Sequence, residues 1–294
     1  MSNEFSIEEI INILKQNKNS KNVEGMAKFG INPKFAFGIS MPFLRNFAKQ
    51  IGKNHRLAID LWETKIHEAR ILSTLISDPK QLTKQQMNSW VKDFNSWDLC
   101  DQCCINLFRK SEFALEKSHE WIERNEEFVR RAGFALVATL AVHSKNLTND
   151  DFENYLKKIM EKSDDERNFV KKAVNWALRQ IGKRNIQLNK KAIEVSEKLI
   201  NSYSKSAKWI GKDAFKELTS ENSVKCIDCP ESSSILYIYS DINGDTGAIN
   251  FNNSINTSYK VWYPDNMSFS SSGFLNLFLF LLTYQFDNSS IVKS

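Results

Sequence analysis

The chain copies itself. Phe128-Val129-Arg130-Arg131-Ala132 returns as Phe169-Val170-Lys171-Lys172-Ala173, and Ile210-Gly211-Lys212-Asp213-Ala214 is a weaker third copy. The three alanines stand 41 and 41 residues apart, and Leu140 and Ile181 keep the same offset. A fixed period of ~40 residues, with a small residue where two helices must approach and a basic pair beside it, is what stacked two-helix units write into a sequence. Few other architectures tolerate such a period.

The pattern therefore predicts an all-α chain, a HEAT-like helical-repeat solenoid whose equivalent helices lie side by side and line a concave, basic face. An irregular helical bundle is the competing reading. Apolar spacing of helical type runs from Leu57 to Leu218 without any sustained two-residue alternation. Breaks fall at Asp78-Pro79, Asn95-Ser96, Asn125, 146–150, 163–165 and 185–189. Ser6 and Glu9 form a capping-box pattern before the first helix, and Pro42 suits a helical first turn after Ser40 or Met41. Units centred on Ala69 and on Cys103-Cys104 do not keep the 41-residue spacing, so the N-terminal repeats are degenerate.

Composition changes near residue 221, which suggests a repeat domain over 1–221 and an appendage over 222–294. The second part holds three lysines against six acidic residues, which leaves a net charge of +8 on the first. Such an excess permits a polyanionic partner, nucleic acid foremost. Within the appendage, Asn243-Gly244 reads as a tight turn between Ile235–Tyr239 and Ala248–Phe251. The apolar run Phe274–Phe286 has 13 residues, short of the roughly 20 that span a bilayer, so no membrane anchor is expected. The polar, acidic start and five cysteines, an odd number, fit a cytoplasmic protein with reduced thiols. Cys100-x-x-Cys103 and Cys226-x-x-Cys229 could be read as a zinc set, but two thiols three apart on one helix fit buried core residues better. Neither metal nor cofactor is expected. His143 reads as a cap or surface residue, and Gly182-Lys183-Arg184 lacks the glycine-rich setting of a phosphate loop.

The chemistry concentrates elsewhere. Trp97 and Asp101, four apart, share a helix face at a helix start that Asn95 or Ser96 can cap. Taken alone they are a capped helix with one buried aromatic and a solvated acid. The 41-residue register adds Arg131, its equivalent Lys172, and Trp176 four residues beyond it. Two indoles, a carboxylate and a guanidinium can then meet on the concave face. Indoles stack on bases and attract cations, arginine fits phosphate, and an unpaired carboxylate can stabilise developing positive charge or hold a water. That set suits hydrolysis of the N-glycosidic bond of a cationic alkylated purine, a base that leaves without a general acid.

Five segments carry a resemblance: Met26–Phe29, Gly38–Pro42, Trp97–Asp101, Phe128–Arg131 and Lys172–Arg179. Together, over roughly residues 5–220, the chain resembles the HEAT-repeat DNA alkylation repair family, the AlkD-type glycosylases. The resemblance implies excision of 3-alkylpurines and 7-alkylpurines from double-stranded DNA by a monomer that does not draw the lesion into a pocket, unlike base-flipping enzymes. It implies Asp101 as catalytic carboxylate, Trp97 and Trp176 as the cradle of the lesion, and Arg131 as a backbone contact, flanked by Arg130, Lys172 and Arg179. Phe29 stands where family members have Tyr, and Ser96 where they have a second Trp. Some relatives keep the fold and only bind DNA, which is the alternative function.

Overall fold

The computed structural model describes residues 5–220 and the backbone of two short strands beyond them. The described helices are α1 (Ile7–Gln16), α2 (Ser20–Lys28), α3 (Met41–Ile51), α4 (His55–Glu63), α5 (His67–Ile76), α6 (Lys84–Lys92) and α7 (Trp97–Asn106). A 3₁₀ turn, Phe108–Lys110, follows, and then α8 (Ala114–Ile122), α9 (Glu127–His143), α10 (Asn149–Lys162), α11 (Asn168–Gly182), α12 (Ile186–Ile200) and α13 (Lys205–Leu218). The strands β1 (Tyr237–Ser240) and β2 (Thr246–Ile249) pair antiparallel, with Tyr237 opposite Ile249, as expected of a hairpin. The rest of 221–294, including Asn243-Gly244, Cys226, Cys229 and the apolar run, lies outside the described residues.

Local chemistry sets the helix ends. Ser6 and Glu9 make the reciprocal capping box, and Thr148 with Asp151 makes another at α10. Each cap is worth about 1 kcal/mol. Pro42 sits in the first turn of α3 behind the N-cap Ser40. α12 starts at Ile186 on the N-cap Asn185, so the last expected break ends earlier than 189.

The described residues group into two compact units, one of 5–145 with 165–177, the other of 146–164 with 178–220 and the strand pair. In the first, α3, α5, α7 and α9 pack in succession, while α4 backs α5 and α8 backs α9. This is the stacked two-helix arrangement that the period predicted. Its core runs from Ile10 to Leu136 through Leu61, Trp62, Leu72, Cys103 and Phe108, with the Trp62 and Trp90 rings stacked at 4.0 Å. Cys100, Cys103 and Cys104 are buried, and burial pushes all three thiols up. In the second unit, α12 packs on both α10 and α13.

The repeat register has a direct physical meaning. Ala132, Ala173 and Ala214 are fully buried. Phe128 and Phe169, 41 apart, stack with ring centroids at 5.5 Å. On α7, Cys104 is fully buried with its thiol directed at Ala132 O of α9. Close crossings explain two glycines: a Cβ on Gly133 would lie 2.7 Å from Ile122 N, and one on Gly211 would lie 2.6 Å from Ser196 O.

Candidate functional site

α7 begins at Trp97, with Ser96 as N-cap, but the Ser96 side chain makes no cap bond. Asp98, in the first turn, reaches across to α5 instead. His67 Nε2 donates to Asp98 Oδ2 at 2.8 Å, and both side chains are buried. Burial opposes the charge on each, yet the pairing outweighs it: the Asp98 carboxyl is held below its ordinary value and the His67 imidazole above. This pair was not visible in the sequence, since 31 residues separate its members.

Beside it lies the corner on which the chemistry turns. Trp97 is partly buried, and its Nε1 donates to Phe29 O at 2.9 Å, which ties the end of α2 to the start of α7. Asp101 is gripped in bidentate fashion by Arg131 from α9, with Nε to Oδ1 at 3.0 Å and Nη2 to Oδ2 at 2.7 Å. The remaining guanidinium nitrogen, Nη1, donates to Phe169 O at 2.6 Å. The guanidinium carbon stands 5.9 Å from the Trp97 ring centroid, within cation–π reach. Burial lifts the Asp101 carboxyl above its ordinary value against the pull of Arg131. For Arg131, burial is the opposing effect and Asp101 prevails, so the guanidinium stays charged.

The carboxylate is therefore not alone, as the sequence reading had it. Its side chain keeps 13% exposure, and each oxygen keeps a lone pair beyond the one Arg131 uses. A single guanidinium thus joins α7, α9 and the first turn of α11 and fixes the acid beside an indole.

Three of the arginines expected to contact the DNA backbone also hold partners inside the protein. Arg131 is 5% exposed, and all its nitrogens have partners inside the protein. Arg130 donates to Asp165 at 2.7 Å, to Asn125 at 3.1 Å and to Ile122 O at 3.2 Å. Asp165, also held by Arg167, is drawn down to about 2 because these bonds overcome its burial. Arg179 is buried against Glu217, with Asp213 at 3.8 Å, and Lys183 reaches the other Glu217 oxygen at 2.6 Å. In all three the guanidinium is bonded to groups on a neighbouring segment of the chain. Lys172 and Trp176 are partly buried, and Trp176 packs on the core of the first unit. Trp97, Asp101 and Arg131 are brought together; Arg130 and Arg179 belong to other clamps.

Glu68 was missed as well. It is buried at the start of α5, and its Oε1 accepts from Phe37 N (2.9 Å), Gly38 N (2.6 Å) and Ile39 N (3.3 Å). Asn22 Nδ2 donates to Gly38 O at 2.8 Å. Gly38 has φ +74°, and a Cβ there would lie 2.3 Å from Asn19 O, so only glycine serves. Gly38, four residues before Pro42, was the available signal for the loop; nothing in the sequence ties it to Glu68, 30 residues on. The loop it fixes leads to Phe35, whose carbonyl accepts from His67 N at 2.9 Å. A cavity of about 10 Å³ beside His67 and Leu99 has no room for a base.

A family model described as DNA alkylation repair enzyme matches residues 10–218. The uncharacterized protein Lin0241 of Listeria innocua serovar 6a is 24% identical over 164 residues, covering 55% of this chain and 71% of the relative. The uncharacterized protein Lmo0209 of Listeria monocytogenes serovar 1/2a is 23% identical over 164 residues, with the same coverage. Among solved structures, a chain described under a new family of proteins related to the HEAT-like repeat DNA glycosylases, with affinity for branched DNA structures, has a TM-score of 0.63 at 18% identity. It covers 72% of this chain and 95% of its own length. At that identity the likeness is one of fold.

Proposed function

We propose, from the premise that the chain belongs to the DNA alkylation repair enzyme family, that it is a glycosylase removing cationic 3-alkylpurines and 7-alkylpurines from double-stranded DNA. The observation that carries this reading is the Trp97–Arg131–Asp101 corner. An alkylated purine bears a formal positive charge, so its C1′–N bond breaks with both electrons passing to a base that leaves neutral. The sugar becomes oxocarbenium-like, and water adds to C1′ and loses a proton to solvent. Asp101, held immobile by Arg131, supplies negative charge next to that centre and a lone pair for the incoming water. Trp97 and Trp176 offer indole faces to the cationic base. Because Arg131, Arg130 and Arg179 serve internal pairs, phosphate contacts fall to surface lysines. The protein acts as a monomer in the cytoplasm in this reading, and sedimentation of the full chain tests the first point.

The test is release of 3-methyladenine or 7-methylguanine from methylated DNA, followed by chromatography. The wild type is expected to release base above the buffer rate and Asp101→Asn to release none. No release by folded wild type overturns the assignment. A second reading, binding of branched DNA without excision, is favoured by the same ion pair, since Arg131 offsets the charge that catalysis needs. It predicts salt-sensitive binding of a four-way junction together with intact methylated bases.

A further inference from the structure

Away from the Trp97–Asp101 corner, the first unit gathers basic side chains near the ends of α3, α7 and α9. Lys53 follows α3, and its ammonium donates to Leu75 O at 2.9 Å and Ser77 O at 2.8 Å at the end of α5. Arg109 and Lys110 form the 3₁₀ turn after α7, with Arg109 Nε bound to Ile105 O at 2.6 Å. His143 is the last residue of α9. Among the described residues, no ion pair engages Lys53, Lys110 or His143.

Asn106 Nδ2, at the end of α7, donates to Thr74 Oγ1 near the end of α5 at 2.9 Å, and α9 packs on the 3₁₀ turn, so that turn lies beside both the α5 end that holds Lys53 and α9. Burial, then Arg109, then Lys53 bring Lys110 down to about 8. Burial, then Arg109 and Lys110, bring His143 down to about 4. Asp78 acts on Lys53, whereas the charges that act on Lys110 and His143 are those of neighbouring basic groups. Cations at helix C-termini are favourable for the helix dipole, which explains one per helix. It does not explain why Lys53, Arg109 and Lys110 converge so that their charges repel, beside an imidazole that Arg109 and Lys110 help to keep neutral. Although neighbouring segments crowd their charged ends, Lys110 and His143 both keep solvent-accessible surface that an anion can reach.

We propose that Lys53, Arg109, Lys110 and His143 form a second anion site, which holds a backbone phosphate of bound nucleic acid. It lies at the end of α9 opposite Arg131; at 1.5 Å per residue, His143 is about 18 Å along the helix. That distance matches roughly five nucleotide steps of one strand. The site thus takes a stretch of backbone well removed from the base at the Trp97 corner. The proposal rests on the nucleic-acid reading above, and its test separates the two.

Lys53 is left intact because it caps α5. Lys110→Ala and His143→Gln, made in the full chain, are compared with wild type by fluorescence anisotropy on duplex DNA and on a four-way junction across a salt series. Lys110→Ala is expected to weaken low-salt binding about tenfold and to make the plot of log affinity against log salt shallower by about 0.9. Base release per bound complex should be unchanged. In parallel, the His143 ring is titrated by NMR with inorganic phosphate alone, and its pKa is expected to rise. Unchanged affinity and slope in both variants overturn the proposal. So does a phosphate-induced shift at His143 without any effect on DNA binding, which assigns the site to free phosphate. If wild type binds no nucleic acid, the functional reading falls too, whereas absent excision with an altered salt slope removes only the glycosylase.

Discussion

Two buried clamps in this protein use the same parts to different ends. In the first unit Arg131 grips Asp101, 30 residues away in sequence; in the second, Arg179 and Lys183 both grip Glu217, 38 and 34 residues away. Each joins two helices and buries its acid. The clamp at Glu217 carries two cations on one carboxylate, with Asp213 near by. The clamp at Asp101 has one cation on one carboxylate, with an indole against the guanidinium. An acid held by two cations is structural reinforcement. An acid held by one, beside a partly exposed indole, can still serve a reaction.

The comparison is tested most severely by removing the acids. Breaking a buried pair on one side costs about 3–5 kcal/mol, since the partner is left charged and unpaired. Asp101→Asn and Glu217→Gln should both show that loss in chemical denaturation, and at a temperature where both remain folded only Asp101→Asn should lose base excision. Equal excision by the two variants would reduce Asp101 to a clamp. Next in size, Arg131→Lys and Arg179→Lys each replace a planar donor set by a point charge. Loss of one charged hydrogen bond, about 1.5–3 kcal/mol, is expected at Arg131, where Lys cannot reproduce the bidentate grip. A smaller change is expected at Arg179, because Lys183 remains on Glu217. Thermal melts of the two variants side by side measure the difference.

Trp97→Phe should cost about 1 kcal/mol for the bond to Phe29 O, and weaken binding of methylated more than of unmodified DNA. Equal weakening for both would confine the indole to a packing role. The smallest effect is in the acid range, where the two carboxyls differ in sign. Glu217 has a lowered folded value, because Lys183 and Arg179 outweigh its burial; its stabilisation is present above the ordinary carboxylate range and is lost as pH falls through the folded value. Asp101 is raised, so its contribution is greatest below that range and is lost as pH rises through the folded value. Melting temperature between pH 6 and 3 should therefore lose part of its acid dependence in Glu217→Gln. In Asp101→Asn the acid-induced loss should persist.

Much of the fold could be read from the chain. The 41-residue period, the buried alanines, the capping box at Ser6, the buried cysteine pair on α7 and the antiparallel pairing of the two strands follow from spacing and residue type. The site was legible only in membership. Trp97, Asp101 and Arg131 do meet, yet the sequence carries no mark of whether Arg131 faces a phosphate or Asp101. Helical periodicity gives a side chain's face but not what stands opposite it. The internal partners of Arg130 and Arg179 were hidden for the same reason, since Asp165 and Glu217 lie 35 and 38 residues further along. His67 and Glu68 escaped notice because a histidine and a glutamate at a helix start look like ordinary end residues.

Glu68 has a consequence of its own. Three successive amides converging on one oxygen make a nest, the backbone shape by which many proteins seize phosphate. Here the nest at Phe37–Ile39 is filled by the protein's own carboxylate. The chain thus carries an internal substitute for the ligand its loop could have bound. That segment is closed to anions by design of the fold, and any DNA passing it must be held by side chains.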